Sequence, residues 1–199
     1  MPMRVVAGEA KGRRLKTPKT AGTRPIIDRV KTALFDILSV RVEDAHFLDL
    51  FAGTGSVGIE ALSRGAARAT FIEMNAAVLK VVRENLHITG LADRAETLHA
   101  DAFKFLLARA TTPYDIIYVA PPQYKGMAAR ALALLDGSPL VPDTGLVIVQ
   151  IHPKERAEIA AVPLTRLVLT GERRYGSTLL MFYEVSKEQS TNVDTSTAT

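Results

Sequence analysis

Residues 46–73 read HFLDLFAGTGSVGIEALSRGAARATFIE. HFLDLF (46–51) is a short apolar run of the kind a buried strand requires, Ser56 to Arg64 has helical spacing, and RATFIE (68–73) is a second strand. Strand, turn, helix, strand is the unit of a parallel sheet, because parallel strands cannot be joined without a crossover. Between the first strand and the helix lies Gly53-Thr54-Gly55-Ser56-Val57-Gly58, a G-x-G-x-x-G in the setting such a motif needs. Its glycines allow a tight turn and let a ligand approach the backbone closely.

Three acids accompany this unit. Asp49 lies four residues before Gly53, Glu73 twenty after it, and Asp101 just beyond a third strand, AETLHA (95–100). A carboxylate at Glu73 can accept two ribose hydroxyls, which suits a dinucleotide or S-adenosylmethionine. Asp49 helps to separate them, since it would repel a pyrophosphate and attract the ammonium group of a methionine moiety. Asp101 is placed to hold an adenine amino group. Plain structural roles stay open: Asp49 bonding loop amides, Glu73 capping the next helix, and Asp101 N-capping the helix after it.

Outward from here the alternation continues. Ala76 to Ile88 is an amphipathic helix with Val78, Val81, Val82 and Leu86 inward, and FKFLLARA (103–110) is a helix. YDIIYVA (114–120) is a strand, GMAARALALLD (126–136) a helix and TGLVIVQI (144–151) a strand. VPLTRLVLT (162–170) and STLLMFYEV (177–185), joined by GERRYG, form an antiparallel hairpin with Arg173, Arg174 and Tyr175 in its turn. The expected fold class is α/β, a Rossmann-like, mostly parallel seven-stranded sheet with helices on both faces. Toward the N-terminus, Ile27, Val30, Leu34 and Leu38 predict a helix from Pro25 to about Ser39, preceded by an extended module. The chain thus divides into a basic N-terminal extension (1–25), one α/β domain (26–185) and a polar, disordered tail (186–199).

Composition narrows the class. The 199 residues suit one well-buried core. No apolar run approaches the roughly 20 residues of a bilayer span, and MPMRVVAGEAKGRR lacks the apolar stretch of a secretory signal. The absence of cysteine excludes disulfides and thiolate metal sites and suits a reducing cytoplasm. His46, His87, His99 and His152 lack metal-ligand spacing, so no metal site is expected. The net charge of +4 is uneven: residues 1–31 hold nine basic and two acidic side chains, a local +7 that leaves −3 for the rest. Such a lobe is a footprint for a polyanion, with Lys11, Arg13, Arg14, Lys16, Arg24 and Arg29 as candidate contacts, and a solvated basic arm without a partner stays open on charge alone.

Several stretches in order extend the reading: RVVAGEAKGRRLKTP (4–18), TRPIIDRVKTALFDIL (23–38), FLDLFAGTGSVGIEALSRGA (47–66), FIEMN (71–75) and APP (120–122). Over roughly residues 3–185 they resemble the RsmD family of class I methyltransferases, most specifically in the RP-x-x-DRV-[KR] segment at 24–31. The resemblance implies S-adenosylmethionine as methyl donor. It implies methylation of the exocyclic N2 of a guanine in bacterial 16S ribosomal RNA, presented on an assembled small subunit; a monomer is expected. It also implies a cofactor site made by Asp49, Gly53, Gly55, Glu73 and Asp101, with Phe51, Thr54, Met74 and Ala102 beside them.

The family's fourth motif is D-P-P-[FY], but here it reads Ala120-Pro121-Pro122-Gln123-Tyr124. The acid is replaced by alanine and the aromatic falls one place later. Prolines have no N–H and restrict the backbone, so carbonyls at Ala120 and Pro121 can still accept from an attacking amino group. Gln123 offers an amide oxygen, Tyr124 a stacking surface and Asp28 a carboxylate from the N-terminal helix. Ala120, Pro121, Pro122, Gln123, Tyr124 and Asp28 are therefore the candidate catalytic set. Three other readings remain at this point. They are a methyltransferase acting on another base or on DNA, a nicotinamide-dependent oxidoreductase, and an RNA-binding protein that keeps the cofactor but has lost turnover through Ala120.

Overall fold

The structure, a computed structural model, describes residues 3–18, 26–108 and 112–187. Its strands are β1 (His46–Asp49), β2 (Arg68–Glu73), β3 (Ala95–His99), β4 (Ile116–Val119), β5 (Leu146–Ile151), β6 (Leu167–Tyr175) and β7 (Thr178–Val185). Its α-helices are α1 (Asp28–Leu38), α2 (Ser56–Ser63), α3 (Ala76–Thr89), α4 (Ala102–Leu107), α5 (Met127–Asp136) and α6 (Arg156–Ala160). One seven-stranded sheet runs in the order β3-β2-β1-β4-β5-β7-β6. The first five strands are parallel, and β7 enters antiparallel to both β5 and β6. This is the expected α/β architecture.

Neighbouring residues of one strand feed two separate cores. Phe47, Phe71 and Ile116 join one cluster with Val30, Leu34 and Val82, while Leu48, Ile72 and Ile117 join the other with Leu132 and Leu135. Both faces are covered, which is why these strands read as continuous apolar runs and not as alternating ones. Chain order reverses between β1 and β4, and at such a switch point a crevice opens outside the carboxyl ends of the strands. Gly58 serves packing: a Cβ there would lie 2.4 Å from the Phe71 ring, so only glycine lets α2 sit this close to β2.

The C-terminal hairpin differs from expectation in its turn. GERRYG was expected as the connection, but β6 runs through Glu172, Arg173, Arg174 and Tyr175, and Gly176–Ser177 make the two-residue turn, with Gly176 at φ 60°. β6 is the sheet's edge strand, so charged residues are tolerated there and discourage pairing with another chain. Gly171 marks a register shift in the ladder. Helix α6, five residues long, carried no readable periodicity.

Residues 3–15 fold back on themselves, with Val5 N–H donating to Arg13 O and Leu15 N–H to Met3 O. Met3, Val5, Ala10 and Leu15 are buried in the same cluster as α1 and β1. Glu60 on α2 is wholly buried; it accepts from the Val6 and Ala7 amides at 2.8 and 2.9 Å and faces Lys31 Nζ at 3.3 Å. Lys31 Nζ also donates to Arg4 O at 2.6 Å. Burial lowers the Lys31 pKa while Glu60 opposes that shift. Lys31 is therefore an internal bolt, and its charge is not on the basic surface to which the sequence assigned it. Most of the polar tail lies outside the described residues, and no helix among the described residues is long and apolar enough to cross a membrane.

Candidate functional site

A cavity of about 750 Å³ opens at the carboxyl ends of β1 to β5. Its size is that of a small-molecule site. Asp49, Phe51, Gly53, Thr54, Glu73, Met74, Asp101 and Ala102 line it. Gly55 stands just behind them as N-cap of α2, with φ 74°, and Gly53 has φ 52°. Both glycines occupy the left-handed region that the turn demands.

The carboxylates are held loosely enough to serve a ligand. Asp49 is 2% exposed and accepts one hydrogen bond, from Gly58 N–H at 3.2 Å. Burial lifts its pKa to about 7; the Gly58 bond works against this and the charge of Glu73 adds to it. Glu73 spans the loop, with Oε2 accepting from Gly53 N–H at 3.0 Å and Oε1 from Asn75 N–H at 2.8 Å. Each oxygen keeps a second lone pair. The α3 cap is Asn75, whose Oδ1 accepts from Ala77 and Val78. Asp101 does cap α4, through Oδ1 alone, at 2.9 Å from both Phe103 and Lys104 amides. Three carboxylates around one cavity, with Lys125 the one cation among its described lining residues, suit a cationic ligand bearing hydroxyl and amino groups. A pyrophosphate would be repelled. The donor set therefore fits S-adenosylmethionine better than a dinucleotide.

Ala120, Pro121, Pro122 and Gln123 line the same cavity. Gln123 takes the cavity position, whereas Tyr124 is turned outward, 61% exposed and at φ 60°, with its ring 5.4 Å from that of His152. Glu155 accepts from Tyr124 N–H at 2.8 Å. Asp28 is not among the lining residues; it accepts from Arg4 Nε at 3.0 Å, so its partner is the N-terminal module and not a neighbour in α1. Of the basic candidates, Lys11, Arg13, Arg14 and Arg29 are exposed, Lys16 Nζ bonds Glu84 at 2.9 Å, and Arg24 lies outside the described residues. Arg173 and Arg174 are exposed on β6.

Sequence reasoning missed Tyr118 and Gln150, which also line the cavity. Tyr118 is the register partner of Asp49, and its hydroxyl donates to Gln150 Oε1 at 2.6 Å. Burial, with help from Asp49, raises the Tyr118 pKa well above its usual value, so the hydroxyl stays protonated as a donor. The signal that could have found the pair is Gln150 itself, the one polar residue in LVIVQI.

A family model described as conserved hypothetical protein 95 matches residues 3–184. The Escherichia coli K12 protein named ribosomal RNA small subunit methyltransferase D is 40% identical over 148 residues, 74% of each chain. The chain belongs to the RsmD family. Other relatives extend the match: YlbH of Bacillus subtilis is 33% identical over 186 residues, covering 92% of this chain and 98% of its own. The solved structure of yhhF from Escherichia coli superposes with a TM-score of 0.79 at 35% identity, covering 93% of this chain and 98% of that one. Ala120 brings no side-chain carboxylate to the cavity, and the Ala120–Gln123 stretch offers it backbone carbonyls and one side-chain amide.

Proposed function

We propose that this chain methylates the exocyclic N2 of a guanine in bacterial 16S ribosomal RNA, with S-adenosylmethionine as donor. In this reading it acts in the cytoplasm, as a monomer, on an assembled small subunit. The observation that carries it is one cavity lined both by Asp49, Glu73 and Asp101 and by the Ala120–Gln123 edge. The name of the Escherichia coli relative supports the substrate class.

Bound S-adenosylmethionine supplies an electrophilic methyl group. Asp49 would hold the ammonium end of its methionine moiety, Glu73 would receive ribose hydroxyls on its remaining lone pairs, and Asp101 would receive the adenine amino group. Phe51, Met74 and Ala102 cover apolar parts of the ligand. The N2 of guanine is a weak nucleophile because its lone pair is delocalised into the ring. The carbonyls of Ala120 and Pro121, with the Gln123 amide oxygen, accept its N–H groups and align it as positive charge develops, and the surplus proton leaves to water. Tyr124 stacks on the extruded base, and Asp28, through Arg4, steadies the N-terminal module. Lys11, Arg13, Arg14, Lys16, Arg24 and Arg29 engage RNA phosphates. The three-part division stands within this proposal: residues 1–25 grip RNA, 26–185 carry the chemistry and 186–199 form a tail.

Radiolabelled donor incubated with small-subunit particles lacking the modification tests this reading. Label on guanine N2 is expected. Unlabelled particles despite donor binding would leave the turnover-deficient RNA-binding protein that Ala120 favours. Label on DNA or another base would redirect the substrate.

A further inference from the structure

One side chain that neither role assigns bonds both the basic N-terminal module and the donor loop. Asn85, on the buried face of α3, has 0% exposure. Its Oδ1 accepts from Lys16 N–H at 2.7 Å, and its Nδ2 donates to Lys16 O and to Thr54 O, both at 3.1 Å. It thus pairs with the Lys16 peptide as a neighbouring strand would, and its remaining N–H holds the carbonyl of a residue that lines the donor cavity. Thr54 is held a second time, its hydroxyl donating to Met3 Sδ at 3.5 Å. Thr54 is therefore gripped from both ends of one module: Met3 near its start and Lys16 where the chain leaves the described hairpin toward residues 19–25.

The bonds at Asn85 are costly to leave unmade. A buried carbonyl or amide without a partner loses its whole compensation for desolvation. The donor loop cannot shift at Thr54 without disturbing the Lys16 peptide or stranding Asn85, and the converse also holds. Lys11, Arg13 and Arg14 ride on the same hairpin, held by Val5 N–H to Arg13 O and Gly12 N–H to Val5 O.

We infer that Asn85 is a positioning residue that couples donor binding to RNA binding, a conclusion that rests on the functional reading above. A donor that settles Thr54 fixes the Lys16 peptide and presents the basic hairpin in its RNA-binding pose. By linkage, RNA on the hairpin tightens donor binding by the same factor.

The test is a thermodynamic cycle with the full chain. Calorimetry gives the affinity for S-adenosylhomocysteine with and without unmodified small-subunit particles, and particle binding is measured with and without that ligand. Wild type is expected to show a coupling factor of about 5 or more in both directions. Asn85→Asp keeps the acceptor for Lys16 N–H and loses both donors; its coupling factor should fall to near 1 while each separate affinity changes only a few-fold. Met3→Leu keeps the apolar bulk and loses the sulfur acceptor; its coupling should fall part of the way, and it decides the matter if Asn85→Asp does not fold. A merely structural Asn85 would lower both affinities and leave their ratio intact, which overturns the inference. So does a wild-type factor of 1 in a protein that still transfers methyl groups. A wild type that binds neither ligand instead removes the functional reading, and the coupling falls with it.

Discussion

Around the cleft, β1, β2 and the turn after β3 end in carboxylates, whereas β4 ends in Ala120 and two prolines. In the proposed function the first side grips by charge and the second by backbone. Side-chain charge is adjustable, and burial has already moved Asp49 to about 7. Backbone carbonyls do not titrate, and their placement depends on how the turn is held. Here Glu155 fixes the Tyr124 amide, and Gly126, at φ 62°, caps α5. The donor side should therefore be sensitive to single charge changes and to pH, and the acceptor side chiefly to geometry.

That contrast can be broken at its strongest point first. Asp49→Asn should weaken donor affinity about 100-fold, because a charge-assisted contact in a buried site is replaced by a neutral one. Calorimetry measures it, and a change under threefold would show that the donor side does not rely on charge. Next, Ala120→Asp restores the acid of the family motif. It should raise kcat about tenfold and leave donor affinity unchanged, since one electrostatic group in an active site typically counts for at least that much. An unchanged kcat would mean that the carbonyl edge already does everything the carboxylate would.

A smaller effect concerns stability. The folded-state pKa of Asp49 lies near 7, above its usual 3.8, so the folded protein keeps a proton that the unfolded chain releases. Its contribution is complete below about pH 4 and is lost as pH rises through about 7. Thermal unfolding of free Asp49→Asn should therefore match wild type at pH 4 and occur at higher temperature at pH 8. The same carboxylate that helps binding costs stability in the free protein. Least of all, Arg13→Ala or Arg14→Ala should weaken particle binding a few-fold, lower the salt slope by about 1 each, and leave donor affinity alone.

What was legible in the sequence follows the range of the interactions. The donor loop could be read because its glycines, Asp49 and Glu73 lie within one β–α–β unit and obey one spacing. Helix α3 could be read because its apolar period survives intact. The edge strand β6 was mistaken for a turn, since GERRY looks like a loop when the partner strand is not known. Tyr118 and Gln150 were hidden in strands that read as pure core, although their polar ends meet inside the cavity. Glu60 and Asn85 could not have been found, because the amides they serve lie 54 and 69 residues away in the chain. The placement of Tyr124 depends on Glu155, 31 residues on, in a segment without helical period.

The central physical claim is that a buried Asp49, its pKa raised to about 7 by burial, receives the positive end of the donor. Calorimetry of donor binding at pH 7, repeated in buffers of different ionisation enthalpy, reads the proton balance directly. The expected result is release of about half a proton, with affinity rising about tenfold between pH 6 and 8, and neither effect in Asp49→Asn. Donor binding with no proton release and no pH dependence in wild type would contradict it.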